Sequence, residues 1–128
     1  MFDKDKAIAF AARYGDDAYR FAFIVTLSKD AAEQAVCSAF EALSADEKFQ
    51  PEEPDKRVIF AAVYKFAKKS AITEVKREEI EALYGEKPNE FFEIAAMPLK
   101  ARAAEHLTLY EGYGEKEAEE ILKGRIND

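Results

Sequence analysis

Asp30-Ala31-Ala32-Glu33-Gln34-Ala35-Val36-Cys37-Ser38-Ala39-Phe40-Glu41-Ala42-Leu43 is the stretch that decides the fold class. Ala32, Ala35, Val36, Ala39, Phe40 and Leu43 recur at steps of three and four residues and form one apolar stripe. Glu33, Gln34, Cys37, Ser38 and Glu41 take the other side. That period belongs to an amphipathic helix; a half-buried strand alternates every second residue. Ser28 or Asp30 supplies an N-cap, and Glu33 stands three residues after Asp30 as in a capping box.

Working outward, Ala18-Tyr19-Arg20-Phe21-Ala22-Phe23-Ile24-Val25-Thr26-Leu27 is apolar almost all round and belongs in the centre of a bundle. Before it, the pattern predicts a first helix over 4–14, with Ile8, Ala11 and Ala12 on one side and Phe10 and Tyr14 on another. Gly15-Asp16-Asp17 is expected to break that helix and cap the next. Residues 44–56 carry Pro51 and Pro54 and read as a loop. A long helix is expected over 57–77, with Ile59, Ala62, Val63, Phe66 and Ala67 facing inward. Residues 79–96, Glu-rich and holding Gly85 and Pro88, read as a linker. After Met97-Pro98 the pattern gives a helix over 99–110, a turn at Glu111-Gly112-Tyr113-Gly114, and a short helix over 115–122 that Gly124 suits as a C-terminus. Helix, glycine turn and short helix is how a helix-turn-helix begins.

Composition narrows the function classes. Across 128 residues, 48% apolar and 35% charged with only 5 Gly and 4 Pro, the balance favours a helical globular protein. No apolar run approaches the roughly 20 residues that span a bilayer. The start, Met1-Phe2-Asp3-Lys4-Asp5-Lys6, lacks the basic-then-apolar order of a secretory signal, so a cytoplasmic protein without a membrane partner is expected. One cysteine, Cys37, and one histidine, His106, leave no internal disulfide and almost nothing for zinc or a hydrolase triad. The expectation is a non-enzyme with no catalytic residue, no metal and no cofactor. The formal charge of −7 argues against indiscriminate nucleic-acid binding and makes the placement of the 19 basic residues decisive.

Three stretches resemble one family. The first is Arg13-Tyr14-Gly15-Asp16 through Tyr19-Arg20-Phe21-Ala22, then Asp30-Ala31-Ala32-Glu33-Gln34-Ala35-Val36 and Ala39-Phe40. The second is Tyr64-Lys65-Phe66-Ala67-Lys68-Lys69-Ser70-Ala71-Ile72, running on to Lys76-Arg77. The third runs from Met97-Pro98 through Arg102, Leu107 and Gly112 to Glu117 and Ile121-Leu122. In order and separation they resemble bacterial RNA polymerase sigma factors of the extracytoplasmic-function type. That resemblance implies an all-α fold: a region-two-like helical bundle over 1–78, the linker over 79–96, and over 97–128 a partial region-four-like helix-turn-helix lacking its recognition helix.

The resemblance also implies function. The polar side of the Asp30–Glu41 helix, namely Asp30, Glu33, Gln34, Ser38 and Glu41, would meet core RNA polymerase. Lys65, Lys68, Lys69, Lys76 and Arg77 would contact promoter DNA at phosphates, which positions a protein without reading sequence. An anti-sigma protein is a further implied partner. The chain departs from the family at Ala62, where a tryptophan is usual, at Lys69 in place of asparagine, at Glu119 in place of the packing alanine, and at Gly114 in place of the turn serine. In the loop over 44–56, Phe49 is the only aromatic available for base stacking. Asn127 or Asp128 would cap the recognition helix, so promoter contact is expected to be weak or partial, in a protein degenerate or truncated in its DNA-reading unit. The competing expectation is an acidic helical protein–protein interaction module with no DNA role.

Overall fold

A computed structural model of the chain describes residues 2–69 and 97–125. Among them are five α-helices and no strand: α1 Lys4–Thr26, α2 Lys29–Ala45, α3 Lys56–Ala67, α4 Leu99–Leu109 and α5 Glu115–Lys123. The all-α expectation holds for the described residues. No helix among them is long and apolar enough to cross a membrane. The expected linker over 79–96, with Lys76, Arg77, Asn127 and Asp128, lies outside the described residues.

α1 corrects the expected break at Gly15. The helix runs unbroken through Gly15-Asp16-Asp17, starting at an Asp3 cap whose side chain accepts from the Lys6 N–H. A glycine inside a helix costs only about 1 kcal/mol, and the buried face outweighs it. Phe10, Tyr14, Ala18 and Phe21 follow at helical steps across the glycine and are all buried. Ile8, Ala11 and Ala12 face outward. The Ala18-to-Leu27 stretch is central, as its composition implied, with Phe21 fully buried. The Phe21 ring lies 5.4 Å from Phe60 of α3 and 5.6 Å from His106 of α4.

α2 starts at Ser28, whose hydroxyl accepts from the Ala31 N–H at 3.3 Å. Asp30 therefore sits inside the first turn, where its charge suits the helix dipole. It is not the cap of a capping box. Ala32, Ala35, Ala39 and Leu43 are buried as the stripe predicted. α3 begins at an Asp55 cap that accepts from the Arg57 N–H. Its buried face is turned from the expected one. Ile59, Val63 and Ala67 are inside, joined by Phe60 and Tyr64, while Ala62 and Phe66 are only half-buried. The rotation has a visible cause, because a second layer covers α3. Phe60 meets Tyr113 edge-on at 6.3 Å, and the Arg57 guanidinium lies 3.5 Å from Glu117 of α5.

That layer is the α4–α5 hairpin. Gly112 adopts a left-handed φ of 79° in its turn, and Gly124 one of 72° where α5 ends. Ala103, Leu107, Ala118, Ile121 and Leu122 belong to the same buried cluster as the side chains of α1, α2 and α3. Burying one such large apolar side chain contributes about 1.5–3 kcal/mol.

A buried cation joins the layers. α1 ends at Leu27, a non-glycine residue at φ 55°, whose N–H reaches the Phe23 carbonyl. Thr26 turns its hydroxyl onto the Ala22 carbonyl at 2.9 Å. Arg102, only 4% exposed, serves the next carbonyls. Its Nε donates to Ile24 O at 2.7 Å, one Nη donates to Val25 O, and the other to Met97 O at 3.0 Å. A guanidinium at a helix C-terminus satisfies orphan carbonyls and meets the negative end of the dipole.

Replacing Arg102 with methionine keeps the bulk but strands these buried carbonyls. Urea unfolding followed by circular dichroism should show a loss of about 3 kcal/mol. Arg102→Lys, which keeps the charge without the fork, should fall between the two. An unchanged midpoint in both variants would mean that the carbonyls find other partners.

Candidate interaction surfaces

The five residues expected to meet polymerase share one side of α2. Asp30, Glu33, Gln34 and Glu41 are exposed and Ser38 is half-buried, with exposed Cys37 among them. They recur at helical steps because the opposite side is committed to the core. Asp30 and Glu33 also face Tyr19 of α1. Burial first, then the charges of Glu33 and Asp30, raise the pKa of that phenol. α2 holds a single basic residue, Lys29, at its first position.

The three described members of the basic set stand at the end of α3. Lys65, Lys68 and Lys69 are exposed, and their ammonium groups lie over aromatic faces. Lys65 and Lys69 both lie over the Phe66 ring, at 5.7 and 5.5 Å, and Lys68 lies 5.5 Å from the Tyr64 ring. Cation–ring contacts of this kind order long side chains at modest energy, about 0.5–1 kcal/mol when exposed. Phe66 was expected only as an inward-facing residue, and its contact with two lysines is new. The sequence signal for it is a tyrosine and a phenylalanine interleaved with three lysines.

Two further features escaped sequence reasoning because their residues are far apart in the chain. The first is an aromatic cluster about Phe10, with ring centroids 4.9 Å to Phe40, 5.0 Å to Tyr14, 5.5 Å to Phe2 and 5.6 Å to Phe49. Phe49, read as the single aromatic of a loop, instead packs on the core. The only signal was a phenylalanine in an otherwise polar segment.

The second feature is a charged seam between the bundle and the hairpin. Lys56 reaches Asp17 at 3.0 Å and Glu111 at 3.6 Å. Burial works against its charged form, but the bonds and charges of Asp17 and Glu111 outweigh that and raise its pKa. Beside it, Arg57 grips Asp55 at 2.6 Å and holds that carboxyl below its ordinary value. His106 lies 3.9 Å from the other Glu111 oxygen and stacks on Tyr110 at 5.0 Å. It is 5% exposed, and its Nε2 is buried without a hydrogen-bond partner among the described residues. Burial first, then the Arg20 charge, against a smaller opposing pull from Asp17, push its pKa down to about 4. Imidazole at this place is neutral packing. Among the described residues no group of His, Cys, Asp and Glu side chains is placed to hold a metal ion.

The seam gives the fold a pH dependence. His106 has a folded pKa near 4 against 6.5 unfolded, so the unfolded chain binds its proton more readily. Its stabilising neutral form is complete above about pH 6.5 and is lost as pH falls toward 4, a change of roughly 3 kcal/mol. Urea unfolding of wild type and His106→Leu at pH 7.5 and 4.5 should show a smaller acid loss in the variant. Equal losses would place the acid sensitivity in the carboxylates. Comparison of the chain with protein-family models, curated proteins and solved structures returns no match.

Proposed function

We propose that the chain is a sigma-factor-like transcription initiation protein that binds core RNA polymerase and contacts promoter DNA. In this reading α1–α3 act as the region-two-like unit and α4–α5 as a partial helix-turn-helix. Asp30, Glu33, Gln34, Ser38 and Glu41 dock on polymerase. Lys65, Lys68 and Lys69 meet DNA phosphates, together with Lys76 and Arg77. The activity is binding without chemistry, and the same α2 face is open to an anti-sigma protein.

One observation carries the reading: the two charge signs are sorted onto different helices, both solvent-facing. Acidic and polar residues line α2, while Lys65, Lys68 and Lys69 crowd the end of α3 beside two aromatic rings. Complementary potentials steer encounter and suppress wrong partners, so an acidic face and a basic end suit two different partners. A net charge of −7 leaves DNA contact local and dependent on a polymerase that holds the protein in place.

A second reading, an acidic interaction module with no DNA role, is favoured by the hairpin. α4 and α5 share the core of α1–α3 through Leu107 and Ile121, where a separate DNA-reading unit would present its own surface.

Pull-down of purified core polymerase at moderate salt should recover the protein, and Asp30→Lys with Glu33→Lys should weaken capture about tenfold or more. Reversing Lys65, Lys68 and Lys69 to Glu should leave capture intact and abolish promoter association of the assembled complex. Capture lost in neither variant, with promoter association unchanged, would remove the sigma-like reading.

A further inference from the structure

The side of α2 that carries Asp30, Glu33, Gln34, Cys37, Ser38 and Glu41 does not stop at Glu41. The same helical steps continue to Ser44 and Ala45, and there the surface changes character. Glu41, Ser44 and Ala45 form one wall of an open groove of about 420 Å³, with Phe40 beside them and Phe2, Ala7 and Phe10 of the chain's start opposite. The acidic stripe thus leads along one helix into an apolar recess. From Asp30 to Ala45 the run is about 22 Å at 1.5 Å per residue, the length of four helical turns.

The groove is built and does not depend on an occupant for its walls. The Phe2 N–H donates to the Ser44 hydroxyl at 2.9 Å, tying the start of the chain to the end of α2. Phe10 packs edge-on against Phe2 at 5.5 Å and against Phe40 at 4.9 Å, so two walls share one buried ring. A preformed apolar recess beside a charged track is what a helical partner needs. The recess takes an anchor side chain and the track sets direction and register.

Charge decides the occupant's chemistry. The track carries Asp30, Glu33 and Glu41 with no ion-pair partner among the described residues, against one cation at the far end, Lys29. Other carboxylates, at Asp17, Asp55, Glu111 and Glu117, are held by Lys56 or Arg57. An acidic or neutral helix would gain nothing along α2, and a basic one meets carboxylates over about three turns, from Asp30 to Glu41.

We propose that this groove receives one large apolar side chain of a basic partner helix that lies along the acidic stripe of α2. The proposal rests on the same α2 face as the polymerase reading and adds to it an anchor that charge alone does not supply. It also gives the partner a direction, with its apolar anchor at the Ala45 end and its cations toward Asp30.

The test uses the full chain and a synthetic lysine-rich helix of about 18 residues carrying one phenylalanine, with an alanine version as control. In a backbone-amide NMR titration, the phenylalanine peptide should bind about tenfold tighter than the control and shift residues of the groove and of α2. Ala7→Trp, and independently Ala45→Trp, fill the groove from exposed positions and should erase that advantage. Asp30→Lys with Glu33→Lys should weaken both peptides alike. Equal affinity of the two peptides, an advantage that survives both tryptophan variants, or shifts confined to another face would overturn the proposal. So would self-association that the tryptophan variants abolish, since the groove would then belong to a second copy. The polymerase pull-down separates the two claims. If Ala7→Trp is captured normally while the charge reversal is not, the anchor fails and the polymerase reading stands. A positive peptide result without polymerase capture does the reverse.

Discussion

Arg102 enters the core at the point where α1 runs out of hydrogen-bond partners. The end of a helix buried beneath other elements must find donors for its last carbonyls, or carry an unmet desolvation cost. Here Thr26 serves Ala22, the Leu27 N–H serves Phe23, and the guanidinium serves Ile24 and Val25. The third donor reaches Met97, so the same side chain fixes the segment that leads into α4. Burial disfavours the charged form, and a pull from Tyr64 offsets it in part. A group of this kind stays charged in proteins, so the requirement falls on geometry: α4 sits where its fork meets the end of α1.

The placement of α4 propagates to α3. With the hairpin laid over the bundle, α3 has neighbours on two sides, and its buried arc widens to take in Phe60 and Tyr64. Phe21 becomes the shared ring, in contact with α3 through Phe60 and with α4 through His106. The cost of the arrangement appears at His106, whose Nε2 is buried without a hydrogen-bond partner among the described residues. A neutral imidazole tolerates that position, and protonating it there costs stability. The nearby Lys56–Asp17 and Lys56–Glu111 pairs are partly exposed, so solvent screening keeps their contribution modest.

What the sequence made legible follows from the range of each interaction. α2 was readable because its period, its first-turn acid and its buried stripe are local properties. The central character of Phe21 to Leu27 was readable for the same reason, and so was the end of α5 at Gly124. Gly15 was misread because a local breaker was weighed without the buried face that continues through Phe10, Tyr14 and Ala18. The turn of α3 was missed because Tyr113 and Glu117, about fifty residues further along, decide it. Arg102 was visible only as part of a motif, and no local pattern announces that its target is the end of a helix nearly eighty residues earlier. The acidic and basic faces were legible residue by residue, but the groove that ends the acidic one was not. Its walls come from Phe2, Phe10 and Phe40, which meet only after α1 and α2 have packed.

The surface charges divide by what lies beneath them. Along the seam between bundle and hairpin, Lys56 and Arg57 are each shared between carboxylates from different elements, and such pairs align two surfaces more than they stabilise either. On the outer side of α2 the carboxylates have no such duty. Asp30 serves the dipole of the first turn, but fold stability does not require Glu33 or Glu41 to be acidic, since each is exposed and has no ion-pair partner among the described residues, on a helix already anchored by Ala32, Ala35, Ala39 and Leu43. Lys65, Lys68 and Lys69 likewise rest on ring faces without a carboxylate partner among the described residues. Charges left without an ion-pair partner among the described residues are sorted by sign, acidic along α2 and basic at the end of α3, and substitutions there leave the buried packing untouched.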